Sequence, residues 1–218
     1  AAFYGREDVA ALLDEGKVPL GLDMETVEPV TWDLKKGNLL YLTDKEEQMT
    51  QFVKQIAHSK QKVIVLAPAY NELPEMEGVT ILSTKEDYVA GIKKMEENIQ
   101  LRLEQQKSQH EATIVLYNQL ELMNDLGMDL QSSLNYVLEK GARAGYATVA
   151  MSGSQLNRKI DEVSKSIKLY KQAIVAMRIT DQSVLNVINR PVREEPLDSQ
   201  VNYYVEDGFV RKVKVLMK

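Results

Sequence analysis

GNLLYLTDKEEQMTQFVKQIA, residues 37–57, decides how the rest of the chain reads. The apolar run Leu39–Leu42 is strand-sized, and Met49, Phe52, Val53 and Ile56 recur at helical spacing after it. Between them, Thr43–Thr50 occupies the place where a strand-to-helix turn can cradle phosphate. Such a cradle needs glycines so that the backbone can wrap the anion, a lysine for the β- and γ-phosphates, and Ser or Thr for magnesium. Laid on the GxxxxGK[ST] spacing, the glycines fall on Thr43 and Gln48 and the lysine on Met49, and only Thr50 is retained. Asp44, Glu46 and Glu47 add negative charge that repels phosphate. The stretch therefore predicts a phosphate-loop fold whose catalytic loop has been lost.

The chain has 218 residues and is 44% hydrophobic, enough for one sizeable α/β domain. Its 27 Lys and Arg against 32 Asp and Glu give a net charge of −5, with the signs mixed along the chain, which argues against a basic groove for nucleic acid. The absence of cysteine excludes disulfides, thiolate metal sites and cysteine nucleophiles. His58 and His110 sit in polar contexts and read as surface residues, so no metal is expected. The apolar runs are strand-sized, no leader pattern is visible and no methionine opens the chain, which reads as a soluble piece of something longer.

Outward from the opening stretch, residues 2–16 read as a short helix ending at Gly16. KVPLGLDMETVEPVTWDL, 17–34, alternates like a hairpin that Pro19 and Pro29 confine to an edge. Residues 62–68 read as a buried strand and 79–83, 113–117 and 146–151 as further strands, of which 113–117 is apolar without alternation, as a parallel sheet covered on both faces requires. Thr84 with Asp87 marks the start of a long helix to about Gln106, its buried stripe expected at Val89, Ile92, Met95, Ile99 and Leu103. Its charged remainder, Lys93, Lys94, Glu96, Glu97, Arg102 and Glu104, reads as solvated. Residues 130–145 read as the next helix. The stretch from Ile160 to Ile179 is split into a helix to about Lys168 and a strand after it. The tail ends in an edge hairpin turned at Asp207-Gly208, with Tyr203-Tyr204 either packed in it or facing a partner.

A phosphate-loop enzyme also needs an acidic pair at the end of another buried strand, one carboxylate for the metal and one to polarise water. Here TIVLY runs into Asn118-Gln119, the neutral amides of Asp-Glu. Alone, Asn118 reads equally as the first residue of a turn. With the first loop also empty, the two departures point the same way: loss of each preorganised group costs about 100- to 1000-fold in rate, so no competent hydrolase is expected.

Taken together, VPLGLDMETVEPVTWDL, the LLYL strand, DYVAGIKKMEENIQLRLEQQ, TIVLYNQLELM and GARAGYATVAMSGS, in this order over about 17–180, resemble the FtsK/SpoIIIE translocase ATPases in their type VII secretion branch, and within it the C-terminal, third ATPase module. The resemblance implies an α/β P-loop NTPase fold, RecA/FtsK-like, with a mostly parallel sheet flanked by helices and edge hairpins. It implies a single domain over 1–218, with a lead-in at 1–30, an α/β core at 31–190 and a C-terminal hairpin at 191–218. The family's first-loop glycines and lysine fall on Thr43, Gln48 and Met49, its acidic pair on Asn118 and Gln119, and its sensor stretch on Met151–Gln155, where this chain departs again. It further implies a cytoplasmic module of a membrane-anchored chain, with preceding ATPase domains of the same chain, WXG100-class secreted substrates and a possible homo-hexamer as partners, and no nucleic acid.

The leading expectation is a pseudo-ATPase module for substrate recognition and motor assembly. Thr43, Asp44, Gln48, Met49, Thr50, Asn118 and Gln119 would line a degenerate nucleotide pocket open to a peptide, with no cofactor. The alternative keeps ATP and magnesium with slow hydrolysis, placing Thr50 on the metal and Lys45 on phosphate.

Overall fold

Five strands in which every residue is buried set the architecture: β3 (Leu39–Leu42), β4 (Val63–Leu66), β6 (Ala112–Leu116), β7 (Tyr146–Ser152) and β8 (Gln172–Val175). Strands without a wet face need cover on both sides, which parallel connections supply. The computed structural model describes residues 11, 16–59 and 61–215. The opening helix expected before Gly16 lies outside the described residues. Together with β1 (Lys17–Asp23), β2 (Pro29–Asp33), β5 (Val79–Leu82), β9 (Val201–Glu206) and β10 (Phe209–Lys214), the buried strands make one sheet of ten in the order β2-β1-β10-β9-β8-β3-β7-β6-β4-β5. β8, β3, β7, β6, β4 and β5 run parallel, and β9, β10, β1 and β2 continue antiparallel.

The helices are α1 (Glu46–Ala57), α2 (Lys85–Glu104), α3 (Gln119–Gly141) and α4 (Glu162–Ile167). One core gathers α2, α3 and α4 on one face of the sheet, with Ile92, Met95, Ile99, Leu134, Leu138 and Val163 among its members. The other core joins Met49, Phe52, Val53 and Ile56 of α1 to Val18, Leu20, Val30 and Trp32 of the lead-in hairpin. Each Val, Leu, Ile, Phe or Met buried in these layers contributes about 1.5–3 kcal/mol.

The alternating lead-in is the hairpin β1–β2, and β2 is an outer edge of the sheet, where Pro29 costs no ladder bond. β10 meets β1 only at Leu22 and Asp23, so Pro19 is clear of that ladder as well. The C-terminal hairpin does turn at Asp207-Gly208, yet it sits inside the antiparallel border, between β8 and the lead-in. Tyr203 and Tyr204 are packed, their hydroxyls donating to Glu194 Oε2 (3.1 Å) and Gln172 Oε1 (3.0 Å).

Three helical expectations need correction. The buried stripe of α2 is Tyr88, Ile92, Met95, Ile99 and Arg102, while Val89 is exposed, because the Tyr88 ring fills the core and its hydroxyl donates to the Ala67 carbonyl. α3 begins at Gln119 rather than near Leu130, and its two halves meet at Gly127, whose φ of 74° breaks the helix. Arg102 is not solvated. Its Nε donates to Ala144 O (2.7 Å), one terminal nitrogen to Glu111 Oε2 (3.0 Å) and the other to Gln109 O (2.5 Å). Gly145 makes this clamp possible: it holds φ at +86°, and a Cβ there would lie 2.0 Å from the Gln109 carbonyl oxygen.

Arg102→Met removes the guanidinium and strands two carbonyls it serves. We expect a loss of roughly 1.5–3 kcal/mol, the range for hydrogen bonds to a charged group, read as a lowered urea midpoint with an unchanged slope.

Candidate functional site

The three stretches where the sequence places chemistry converge at the C-terminal ends of adjacent parallel strands, where open α/β sheets bind ligands. Thr43 follows β3, Asn118 and Gln119 follow β6, and Met151–Gln155 closes β7. The ladder between β3 and β7 extends into the loop, with Thr43 N–H donating to Ser152 O at 2.9 Å.

Only residues 43–45 separate β3 from α1. α1 thus begins two residues before Gln48, inside the segment that a phosphate cradle would leave open. Thr43 is fully buried, and its hydroxyl donates to Gln48 Oε1 while accepting from Lys45 N–H at 3.1 Å. Gln48 N–H in turn bonds Lys45 O at 3.1 Å. Two amides that could face an anion are thereby spent within the loop. The first turn of α1 carries Glu46 and Glu47, which occupy the helix-dipole position that a phosphate would need.

The remaining nominees divide into separate clusters. Met49 is 4% exposed and packs in the α1 core, away from any opening. Gln119 is fully buried: Ser152 Oγ donates to its Oε1 (2.8 Å) and its Nε2 donates to Ser164 Oγ (2.9 Å), tying β7 and α4 to the start of α3. Asp44 is exposed and accepts from both N–H and Oγ of Ser154, each at 2.8 Å. Gly153 permits this approach, since a Cβ there would lie 2.7 Å from Asp44 Oδ1. Thr50 Oγ1 lies 2.8 Å from the Tyr117 hydroxyl, and Asn118, in the left-handed region at φ 49°, donates through Nδ2 to Tyr70 OH (3.1 Å) and Asn71 Oδ1 (3.2 Å). Asn71 Nδ2 reaches Glu46 Oε1.

The sequence reading did not select Tyr70, Asn71, Tyr117 or Ser164. Tyr117 has a local signal, a polar-tipped ring closing a buried strand; the others lie in a loop and a short helix whose proximity only the fold creates. Partial burial, then the Glu121 carboxylate, holds the Tyr70 hydroxyl above its usual range, with Glu46 and Asp125 adding to the effect. Burial does the same at Tyr117, opposed by its bond to Thr50. Both remain neutral at pH 7, in surroundings that are net acidic. Gln48 also lines a small cavity of about 30 Å³ with Tyr41, Phe52 and Asn202, room for about one water. The donor set does not suit Mg-ATP: a methionine replaces the lysine, amides replace the acidic pair, and the loop amides bond internally. Among the described residues, no group of three or more His, Asp and Glu is arranged to hold a metal ion.

No family model matches the chain. A curated relative, the type VII secretion system protein EssC of Staphylococcus aureus (strain MRSA252), is 25% identical over 212 residues, covering 93% of this chain and 14% of the relative. The chain is homologous to EssC and spans about a seventh of its length. Among solved structures, EssC (ATPases 2 and 3) from Geobacillus thermodenitrificans superposes with a TM-score of 0.82 at 18% identity, over 92% of this chain and 41% of that one. Thermomonospora curvata EccC (ATPases 2 and 3), in complex with a signal sequence peptide, gives 0.72 at 14% identity, over 95% of this chain and 42% of that one. These likenesses establish the fold as that of the EssC and EccC ATPase domains, P-loop α/β.

Gln119→Glu tests the buried amide. Burial disfavours the carboxylate, so the folded-state pKa is raised above the unfolded value of about 4.3. The destabilisation relative to the parent is therefore smallest below that unfolded value. It grows with rising pH by up to about 1.4 kcal/mol per unit until the folded-state pKa is passed. Urea midpoints of both proteins at acid, neutral and mildly alkaline pH check this; a gap independent of pH would contradict it.

Proposed function

From homology to EssC, we propose that this chain is a non-catalytic module of a type VII secretion motor, acting in substrate recognition and in assembly or regulation of the motor. The observation that carries the non-catalytic part is the closed β3–α1 loop. α1 starts at Glu46, Thr43 binds Gln48 and Lys45 within the loop, and the template's lysine position is the buried Met49. Neutral amides in place of an acidic pair act in the same direction, because a metal would find no carboxylate there: Gln119 Oε1 already accepts from Ser152 Oγ, and the amide nitrogens donate to Ser164, Tyr70 and Asn71. The carboxylates of Glu46, Glu121 and Asp125 beside Tyr70 raise the electrostatic cost of a bound nucleotide further.

Recognition is supported by kinship of fold with a module pair whose solved structure holds a signal sequence peptide. In this reading the partners are neighbouring ATPase domains of the same chain and small helical-hairpin secreted proteins of the WXG100 class, with hexameric assembly of the whole motor. Among the described residues no helix is long and apolar enough to cross a membrane, and we place the module on the cytoplasmic side of a membrane-anchored protein. ATP and magnesium belong to other modules of that protein.

Isothermal titration of this chain with Mg-ATP is expected to give no saturable heat. Met49→Lys is not expected to restore binding, since it adds a buried ammonium and leaves α1 starting at Glu46; tight, magnesium-dependent binding by the unaltered chain would overturn the reading.

A further inference from the structure

α2 and α3 lie side by side on one face of the sheet and leave an outer groove of about 520 Å³ between them. Its apolar part is Leu101, 49% exposed, and Tyr136, 39% exposed. Its rim is Glu96, Glu97 and Glu104 against a single ammonium, Lys93. Neither Glu96 nor Glu97 has a hydrogen-bond or ion-pair partner among the described residues, and Glu104 accepts only the uncharged Gln100 amide, at 3.1 Å. The stripe continues one turn back along α2 to Val89, which the sequence pattern assigns to the core and the fold leaves exposed.

Lys93 and Glu97 stand at i and i+4 with opposite signs, and Glu96 and Glu104 add two further carboxylates beside the two exposed apolar side chains. The groove is large enough for the anchor side chains of a helix, and its length along α2, from position 93 to 104, matches about three helical turns. The three carboxylates against one ammonium select the charge of what lies there. We propose that the groove between α2 and α3 docks a basic amphipathic helix of a partner protein, two apolar residues one turn apart seating on Leu101 and Tyr136, with Lys or Arg side chains meeting Glu96, Glu97 and Glu104. The surface lies on the helices rather than at the strand ends, so this inference holds whether or not the strand-end site binds nucleotide.

The test uses this chain and two peptides of about five helical turns. One carries leucine on one face and lysine along its flanks; the other replaces every lysine with glutamate. The lysine peptide is expected to bind saturably, more weakly as salt rises, and to slow amide exchange in 93–104 and 133–140. Leu101→Ser with Tyr136→Ser weakens binding about tenfold or more, and Glu96→Lys with Glu97→Lys abolishes it while admitting the glutamate peptide. All four positions are at least partly exposed, so melting temperatures fall by a few degrees at most and the proteins stay folded. Absent binding of the lysine peptide, equal binding of both peptides, insensitivity to the Leu101 and Tyr136 changes, or protection confined to other segments would each overturn the proposal.

Discussion

The position of β3, hydrogen-bonded to β7 on one side and β8 on the other, is the constraint on which the strand-end geometry depends. The ladders run past the strand itself: Thr43 N–H bonds Ser152 O at 2.9 Å and Ala176 N–H bonds Leu42 O at 2.9 Å. Residue 43 is thereby fixed at a fully buried point between two strands, and the polypeptide has to reach the start of α1 within residues 43–45. A threonine at such a point brings a hydroxyl that must find partners, since leaving it unpaired would cost about 1–3 kcal/mol. It finds them in Lys45 N–H and Gln48 Oε1, and these bonds define the loop.

That solution differs in kind from a phosphate cradle. A cradle keeps its amides unsatisfied and relies on glycine so that the anion can complete them. Here the Thr43 hydroxyl takes the Lys45 N–H and the Lys45 carbonyl takes the Gln48 N–H, with no glycine in the loop. The amides that follow β6 obey the same physics. Gln119 is surrounded by Ser152 and Ser164, and a neutral amide with one donor and one acceptor satisfies both hydroxyl groups without burying a charge. A carboxylate there would need a metal or a cation beside it.

Much of the fold is legible in the sequence because burial writes itself plainly. Apolar runs without alternation at 39–42, 63–66, 112–116 and 172–175 are the buried parallel strands, and Asp207-Gly208 between alternating runs is the hairpin turn. The three candidate stretches do meet at one end of the sheet. What is not legible depends on partners distant in the chain. Tyr88 displaces Val89 from the core because its ring and hydroxyl find a place beside Ala67, and Arg102 is buried because Gln109, Glu111 and Ala144 form its receptor. Periodicity treats both as ordinary helix positions. The burial of Met49 and Gln119 is likewise invisible to a template that places its own lysine and glutamate at a ligand.

The same argument explains why the helices, and not the strand ends, carry the surface left unfinished. At the strand ends several polar groups have an internal partner: Asp44 has Ser154, Thr50 has Tyr117, and the Asn118 amide nitrogen has Tyr70 and Asn71. On the outer faces of α2 and α3, Glu96 and Glu97 have no partner among the described residues, and Leu101 and Tyr136 are half-exposed beside them. Exposed carboxylates cost little in water, and two half-exposed apolar side chains forgo only part of the burial they would gain under cover. The fold can tolerate such a surface at small cost to its own stability, and in the proposed docking the surface has value only when a complementary helix covers it.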